Sequence, residues 1–309
     1  MIDWIKRLAL LMATTTLLSA CGGGDDDPPS VVEIAQQDAR FSVLAEAVVA
    51  ADLAGTLSGP GPFTVFAPTN DAFSALLGEL GVSKAQLLAD KNLLTQVLTY
   101  HVLGTKVEKS AVPAGKAITT LQGGIFKVDA VGSDLVITDG RNRQARITAT
   151  DVQARNGVVH VIDKVILPAN RNIVQTAQAT SDFSILVEAV TAADLGATLS
   201  GPGPFTVFAP TNAAFASLLA ELGVSKEALL ADKALLTKVL TYHVVPGRVL
   251  KADVPVGAAI ATVQGDSFSV SPALSITDQR GRQARITTTD VLASNGVIHV
   301  IDKVILPRP

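Results

Sequence analysis

The chain has 309 residues and a formal net charge of -3, so it lacks the global basic excess that binding to nucleic acid requires. It is 48% apolar but only 4% aromatic, which predicts cores of aliphatic side chains anchored by single phenylalanines. Nucleic acid is therefore not expected among its partners.

The N-terminus has the features of an export signal. Two basic residues precede an apolar run at 8–18 that is too short to span a bilayer. The run ends in the sequence LSACG, which resembles the lipobox of bacterial lipoproteins and contains the only cysteine, Cys21. We therefore predict a lipoprotein signal peptide at 1–20 and lipidation of Cys21; the alternative is an unpaired thiol in a discarded leader. Gly22 implies sorting to the outer membrane, on its periplasmic face or at the cell surface.

Residues 21–30 are predicted to form a flexible tether. They contain three glycines, three consecutive aspartates and two prolines, a composition that favours an extended and solvated chain. The aspartates at 25–27 also suggest a cation site, but no structured loop supplies the further oxygen ligands that such a site needs.

The remainder of the chain contains one sequence twice. The segment FTVFAPTN at 63–70 returns unchanged at 205–212. We predict two domains, at 31–168 and 173–309, joined by a short linker at 169–172. The copies agree even at positions that must be on the surface, so agreement between them is weak evidence of function.

The first half of each copy is predicted to be helical. Thr69 and Asn70 are both competent to cap the helix that follows the first strand, and Ser83 begins a capping box that Ser225 lacks. Helical spacing places His101 on the apolar face of the last helix in this half.

The second half of each copy is predicted to form strands. An Asn-Gly pair at 156–157 separates two apolar runs, which is typical of a β-hairpin. The run at 158–162 is apolar on both faces and predicts an interior strand. Helices packed against a mainly antiparallel sheet define an α+β domain.

Three motifs in this order and spacing resemble those of a fasciclin domain. They are FTVFAPTN, a Tyr-His pair and NGVVHVID in the first copy, with NGVIHVID as the third motif of the second. The resemblance implies two tandem α+β domains, each with helices on a wedge-shaped sheet. It also implies adhesion or extracellular-matrix interaction rather than catalysis.

The resemblance also identifies candidate binding residues. The Tyr-His pair of animal members has been linked to integrin binding, and it corresponds here to Tyr100, His101, Tyr242 and His243. The alternative is that each histidine completes the apolar face of its helix and is hydrogen-bonded there. The four histidines show none of the close spacings of metal ligands, so neither a metal nor another cofactor is expected.

A second set of candidates lies on a predicted hairpin that carries three arginines in each copy. They are Arg141, Arg143 and Arg146, and Arg280, Arg282 and Arg285. Strand alternation predicts the first two of each set on one face and the third on the other. Their guanidinium groups suit anionic polysaccharide or lipid headgroups; the alternative is an ordinary solvated hairpin.

The sequence therefore predicts a lipid-anchored, non-enzymatic module that binds a surface or matrix protein or polysaccharide. The motifs of serine hydrolases, phosphate-binding loops and zinc proteases are absent from the chain. Two weak sites on one anchor would give avidity. The alternative is a carrier of a lipophilic small molecule such as a carotenoid, since some fasciclin-like proteins bind carotenoids and the chain is apolar.

Overall fold

The structure is a computed structural model that describes residues 28–309. The predicted signal peptide, Cys21 and most of the tether lie outside these residues. Each copy of the repeat folds into a layer of helices packed against a seven-stranded sheet, which confirms the predicted α+β class. None of the described helices is both long and apolar enough to cross a bilayer.

The first domain contains six α-helices and seven strands. The helices are α1 (Val31–Gln37), α2 (Ser42–Ala50), α3 (Ala54–Ser58), α4 (Asn70–Leu80), α5 (Lys84–Ala89) and α6 (Lys91–Tyr100), with short 3₁₀ turns at Ala39–Phe41 and Lys109–Ala111. The strands are β1 (Phe63–Pro68), β2 (Val102–Leu103), β3 (Ala117–Thr119), β4 (Ile125–Val131), β5 (Asp134–Thr138), β6 (Gln144–Ala154) and β7 (Gly157–Ile162).

The second domain repeats this order. Its helices are α7 (Ile173–Gln178), α8 (Ser184–Ala192), α9 (Gly196–Ser200), α10 (Asn212–Leu222), α11 (Lys226–Ala231) and α12 (Lys233–Tyr242), with 3₁₀ turns at Ser181–Phe183 and Lys251–Asp253. Its strands are β8 (Phe205–Pro210), β9 (Val244–Pro246), β10 (Ala259–Ala261), β11 (Ser267–Val270), β12 (Ser275–Thr277), β13 (Gln283–Ala293) and β14 (Gly296–Ile301).

The helix caps follow the local sequence. Thr69 caps α4 by accepting a hydrogen bond from the Ala72 N–H at 3.3 Å, whereas Asn70 accepts one from the Val43 N–H at 3.0 Å and so ties α4 to α2. The Ser83 capping box is present, and the second copy lacks it at Ser225, as predicted.

The sheet of the first domain has the order β2-β1-β7-β6-β5-β4-β3, and only the β1–β7 pair is parallel. Strand β7 is therefore an interior strand, and β6 and β7 form the predicted hairpin. A Cβ atom at Gly157 would lie 2.1 Å from the carbonyl oxygen of Phe63, so only glycine permits β7 to begin this close to β1.

Each domain has two apolar cores, one on each side of the central strands. Val65 and Val159 face the helices, whereas Phe66 and Ile162 face a second core enclosed by the outer strands. In that second core the rings of Phe66 and Phe126 stand edge to face, with their centroids 5.0 Å apart. Burial on both sides explains why the side chains of β7 are apolar except for that of His160.

The two domains pack against each other through an apolar cluster. The side chains of Ile125 from the first domain and of Leu250, Leu292 and Val297 from the second are all buried there. The backbone of Leu292 exchanges two hydrogen bonds with the Asn142 side chain, at 2.6 and 3.0 Å. We refer to this contact as the domain junction.

An ion pair completes the junction. The Lys127 ammonium group of the first domain lies 2.9 Å from a carboxylate oxygen of Asp290 in the second, and Asp290 is 2% exposed. The other oxygen of this carboxylate accepts the Lys251 N–H at 2.7 Å. Because these hydrogen bonds accompany the pair, the buried charge of Asp290 is compensated.

Candidate functional site

The structure places both tyrosines of the Tyr-His pairs in the interior. Tyr100 at the end of α6 is 0% exposed. Its hydroxyl donates a hydrogen bond to the Ile125 carbonyl at 2.5 Å and accepts one from the Gly140 N–H at 2.8 Å. Tyr242 is also buried and donates to the Ser267 carbonyl at 2.9 Å. Each tyrosine therefore joins the last helix of its domain to the sheet.

The histidines of these pairs are bonded to backbone on both ring nitrogens. In His101, Nδ1 lies 2.7 Å from the Val97 carbonyl and Nε2 accepts the Ile166 N–H at 3.1 Å. Both bonds form together only when Nδ1 carries the proton and the ring is neutral. Burial lowers the pKa of His101, and likewise that of His243, to about 4.

The two strand histidines show the opposite tautomer. In His160, Nε2 lies 2.8 Å from the Val107 carbonyl and Nδ1 accepts the Asp151 N–H at 3.3 Å. His299 repeats this arrangement in the second domain, and burial lowers its pKa. Within residues 28–309, no group of three or more His, Cys, Asp or Glu side chains is placed to hold a metal ion.

All four residues of the Tyr-His pairs are thus enclosed by their own domain. No more than 2% of any of these side chains is exposed. A partner protein would contact them only after local opening of the helical layer. Their assignment as binding residues stays a prediction, and the geometry shows instead that they connect helix to sheet.

The arginine hairpin is organised by a buried carboxylate. Asp139 is 1% exposed, and one of its oxygens accepts the N–H groups of Arg141 and Arg143, each at 2.9 Å. Its other oxygen accepts the Leu167 N–H at 2.9 Å. Residues 140–143 therefore form a turn, so the expected strand alternation of Arg141 and Arg143 is wrong.

Arg143 is held by neighbouring groups in that turn. Its Nε lies 3.0 Å from Asp139, and one terminal nitrogen lies 2.7 Å from Glu79. Arg282 in the second domain is similarly paired with Glu221 at 2.9 Å. Because carboxylates already balance these two guanidinium groups, they are poorly placed to bind a further anion.

Arg141 and Arg280 instead line matched surface grooves. The Arg141 groove has a volume of about 120 Å³, and the Arg280 groove has about 240 Å³. The apolar walls come from α4, α5 and α6 in the first domain and from α10, α11 and α12 in the second, and they include Leu80 and Leu222, which are 38% and 43% exposed.

The two arginines differ in their hydrogen bonds. The Nε atom of Arg141 is buried without a hydrogen-bond partner among the described residues. Burial and the neighbouring charge of Arg143 both lower the pKa of Arg141. Nε of Arg280 donates to the Pro307 carbonyl at 3.0 Å. A groove with apolar walls and a guanidinium group beside them suits an apolar side chain that has a carboxylate next to it.

Sequence reasoning identified these arginines but missed the grooves beside them. The available signal was the partly apolar outer surface of the helices, where Leu80 and Leu93 recur as Leu222 and Leu235. An exposed leucine alone is common on protein surfaces, so the position of these leucines beside an arginine is the more informative feature.

The apolar pockets between the helices and the sheet are small. The pocket of the second domain, beside His243, has about 110 Å³, and its counterpart in the first domain has about 30 Å³. A cavity of about 150 Å³ holds one benzene molecule. The size of these two pockets therefore does not favour the predicted carotenoid carrier, which stays a prediction.

Comparison with known proteins assigns the family. The model of the fasciclin domain matches residues 39–168 and 181–307. The chain belongs to the fasciclin-domain family, with two domains in tandem. A structure described as a FAS1 domain pair from the insect cell adhesion molecule fasciclin I aligns with 89% of this chain and 95% of that one, at 20% identity and a TM-score of 0.43.

Relatives occur in animals and in Synechocystis. Transforming growth factor-beta-induced protein ig-h3 of Sus scrofa is 32% identical over 253 residues, which cover 81% of this chain and 35% of that protein. Human periostin is 29% identical over 283 residues, covering 90% of this chain and 31% of periostin. The chain thus spans about a third of the length of these two relatives. Protein sll1483 of Synechocystis is 45% identical over 150 residues, covering 48% of this chain and 79% of that protein.

Proposed function

We propose that this protein is a non-enzymatic adhesion or matrix-interaction protein that presents two fasciclin domains from a lipid anchor at Cys21. Membership of the fasciclin family supports the interaction role, and the lipobox-like sequence supports export and anchoring at the outer membrane. The observation that carries the proposal is a surface groove on each domain in which partly exposed leucines lie beside a guanidinium group.

Each groove binds a short feature of the partner. An apolar side chain fills the space between the helices, and a carboxylate beside it pairs with Arg141 or Arg280. This combination favours a surface or matrix protein over an acidic polysaccharide as the partner, because a polysaccharide has no apolar side chain to fill the groove. One groove of this size supplies a weak contact, because it buries a single side chain.

Two grooves on one molecule strengthen the attachment. Once the first groove is occupied, the second encounters its partner at a high effective concentration, provided that both sites are reachable at once. The domain junction supports this arrangement, because it packs the two domains together. Adhesion on a repetitive surface follows from such avidity without any tight single site.

The arrangement of the other polar groups agrees with an interaction role. The buried histidines and tyrosines are bonded to backbone groups within their own domains. These buried polar side chains thereby hold the fold together, and the outer surface remains for recognition. The proposed activity is therefore binding, with no chemical step.

The test measures how strongly cells of the organism that makes this protein attach to their own extracellular matrix. The two groove arginines are replaced in the protein that these cells carry. We expect Arg141→Gln combined with Arg280→Gln to weaken attachment at least tenfold, because each substitution removes a charge-assisted hydrogen bond worth roughly 1.5–3 kcal/mol. Either substitution alone should have a smaller effect, since one groove remains.

The matched control is Arg146→Gln combined with Arg285→Gln. These residues lie on the same hairpins, and the substitution changes the net charge equally, but neither residue lines a groove. Cys21→Ala serves as the unanchored control and should abolish attachment of the cells. Equal loss in the control pair and in the groove pair would show that charge alone matters and would contradict the proposal.

A further inference from the structure

A larger pocket lies at the domain junction, and it shares no lining residue with either groove. Its volume is about 330 Å³, within the range of small-molecule sites. The first domain contributes the loop at 122–125, the linker contributes Ala169, and the second domain contributes Arg248 and the segment 292–294. The pocket therefore exists only because the two domains are packed together.

Among residues 28–309, Arg248 is the only charged residue that lines this pocket. Its side chain is half-buried, and its Nε atom is buried without a hydrogen-bond partner among the described residues. Burial alone lowers the pKa of Arg248, and no carboxylate among residues 28–309 raises it. A half-buried guanidinium group without a counter-charge is costly, which indicates that an anion completes the site.

The position of the first domain that corresponds to Arg248 has polar neighbours that Arg248 lacks. Lys106 occupies it, and its ammonium group lies 2.8 Å from the side-chain oxygen of Gln153 and 3.2 Å from Glu108. In the second domain these two partners are replaced by Leu292 and Leu250, whose side chains are buried in the junction. Both domains thus carry a positive charge at this position, but its two neighbours are polar in the first domain and apolar in the second.

We propose that the junction pocket binds a small, hydroxylated monocarboxylate through Arg248. The planar fork of the guanidinium group matches a carboxylate in geometry, and one positive charge balances one negative charge. A phosphate or sulfate dianion would leave an excess negative charge in a partly buried site. This assignment is independent of the two grooves.

The walls of the pocket suit hydroxyl groups as well as carbon. The side-chain oxygen of Gln122 accepts the Gly124 N–H at 2.8 Å, which leaves the amide NH₂ group as a donor. Ser294 adds a hydroxyl group, while Ile125 and Leu292 supply apolar surface. A sugar acid of one ring offers this combination of carboxylate, hydroxyl groups and size.

The test uses glucuronate as the probe and the full chain purified in a non-ionic detergent. Isothermal titration calorimetry should give saturable binding of one glucuronate per chain, with no binding of glucose. Arg248→Met should raise the dissociation constant at least tenfold, because the guanidinium–carboxylate hydrogen bonds are lost. The dissociation constant of Arg248→Lys should lie between those of the unmodified chain and Arg248→Met, since lysine keeps the charge but lacks the planar guanidinium group.

Lys106→Met is the matched control, because it removes the equivalent charge from the first domain, and it should bind glucuronate as the unmodified chain does. Thermal unfolding without ligand checks that Arg248→Met folds, and its melting temperature should be equal to or above that of the unmodified chain. Any one of three results would overturn the proposal. The unmodified chain does not bind glucuronate, Arg248→Met binds it as tightly as the unmodified chain does, or inorganic phosphate binds more tightly than glucuronate.

Discussion

His101 links the end of α6 to the segment that follows β7 through a single ring. One nitrogen closes the C-terminal turn of α6 at the Val97 carbonyl, and the other receives the N–H of Ile166, which follows the sheet. Both bonds require a neutral ring, and His243 makes the equivalent pair in the second domain. The fold is therefore sensitive to protonation at two equivalent points.

We expect stability to fall between pH 6.5 and pH 4. The pKa of each of these histidines is about 4 in the folded chain, against an ordinary value of 6.5. The unfolded chain therefore binds more protons in this range, so the free energy of unfolding decreases as pH falls and the loss is complete below about pH 4. At pH 5 the loss is roughly 2 kcal/mol for each histidine.

Urea unfolding of the unmodified chain and of His101→Gln at pH 7 and pH 5 measures this effect. The variant should be less stable at pH 7, because its backbone bonds are imperfect, but it should lose roughly 2 kcal/mol less on going to pH 5. An identical pH-dependent loss in both proteins would show that His101 does not control the acid sensitivity.

Helix α4 offers a clean comparison between the two copies. Gly78 lies in its interior, and the equivalent position of α10 is Ala220. A Cβ atom at Gly78 would meet nothing within 4 Å. We therefore expect Gly78→Ala to raise the free energy of unfolding by about 0.5–1 kcal/mol, because alanine loses less conformational entropy in a helix.

The control substitution is Gly157→Ala in β7, where the added methyl group would lie 2.1 Å from the Phe63 carbonyl oxygen. This variant should be strongly destabilised, because backbone atoms must move apart. Urea unfolding of both variants and of the unmodified chain measures these changes in the free energy of unfolding. A destabilised Gly78→Ala would mean that α4 needs this glycine for a reason other than space.

Local patterns predicted most elements, because caps, turns and apolar spacing act over a few residues. The Thr69 cap, the Ser83 box and the β6–β7 hairpin are examples. The parallel pairing of β1 with β7 was not predicted, since it joins strands about ninety residues apart in the chain. A sequence pattern that extends over a few residues does not indicate which distant strands pair.

The candidate site was harder to predict for the same reason. Asn156 was recognised as a turn residue, yet its side chain also bonds the Val31 N–H and the carbonyls of Leu57 and Gly59. Similarly, the turn at 140–143 depends on the contact of Asp139 with Leu167, in the segment that follows β7. Sequence spacing identified the important residue types, whereas long-range contacts determined which of them stay exposed.

The domain junction is a head-to-tail contact between two copies that differ where they meet. Ile125, buried in the junction, corresponds to Ser267 in the second domain. Leu250 and Leu292 correspond to Glu108 and Gln153 in the first. A head-to-tail contact between identical surfaces would continue into a filament. Neither copy carries the apolar residues of both faces, which disfavours the same contact with a third copy.

This asymmetry predicts that the domains unfold as a coupled pair. Leu250→Glu combined with Leu292→Gln gives the second domain the residues that the first carries at these positions, with which that domain folds. Each buried leucine contributes roughly 1.5–3 kcal/mol to the stability of the junction, so the junction should be lost while both domains stay folded.

Calorimetry should show one thermal transition for the unmodified chain and two for the variant, and proteolysis at 169–172 should become faster in the variant. Glu108→Leu combined with Gln153→Leu, on the free side of the first domain, should leave the single transition intact. Retention of one transition and of slow cleavage in the junction variant would contradict the coupling.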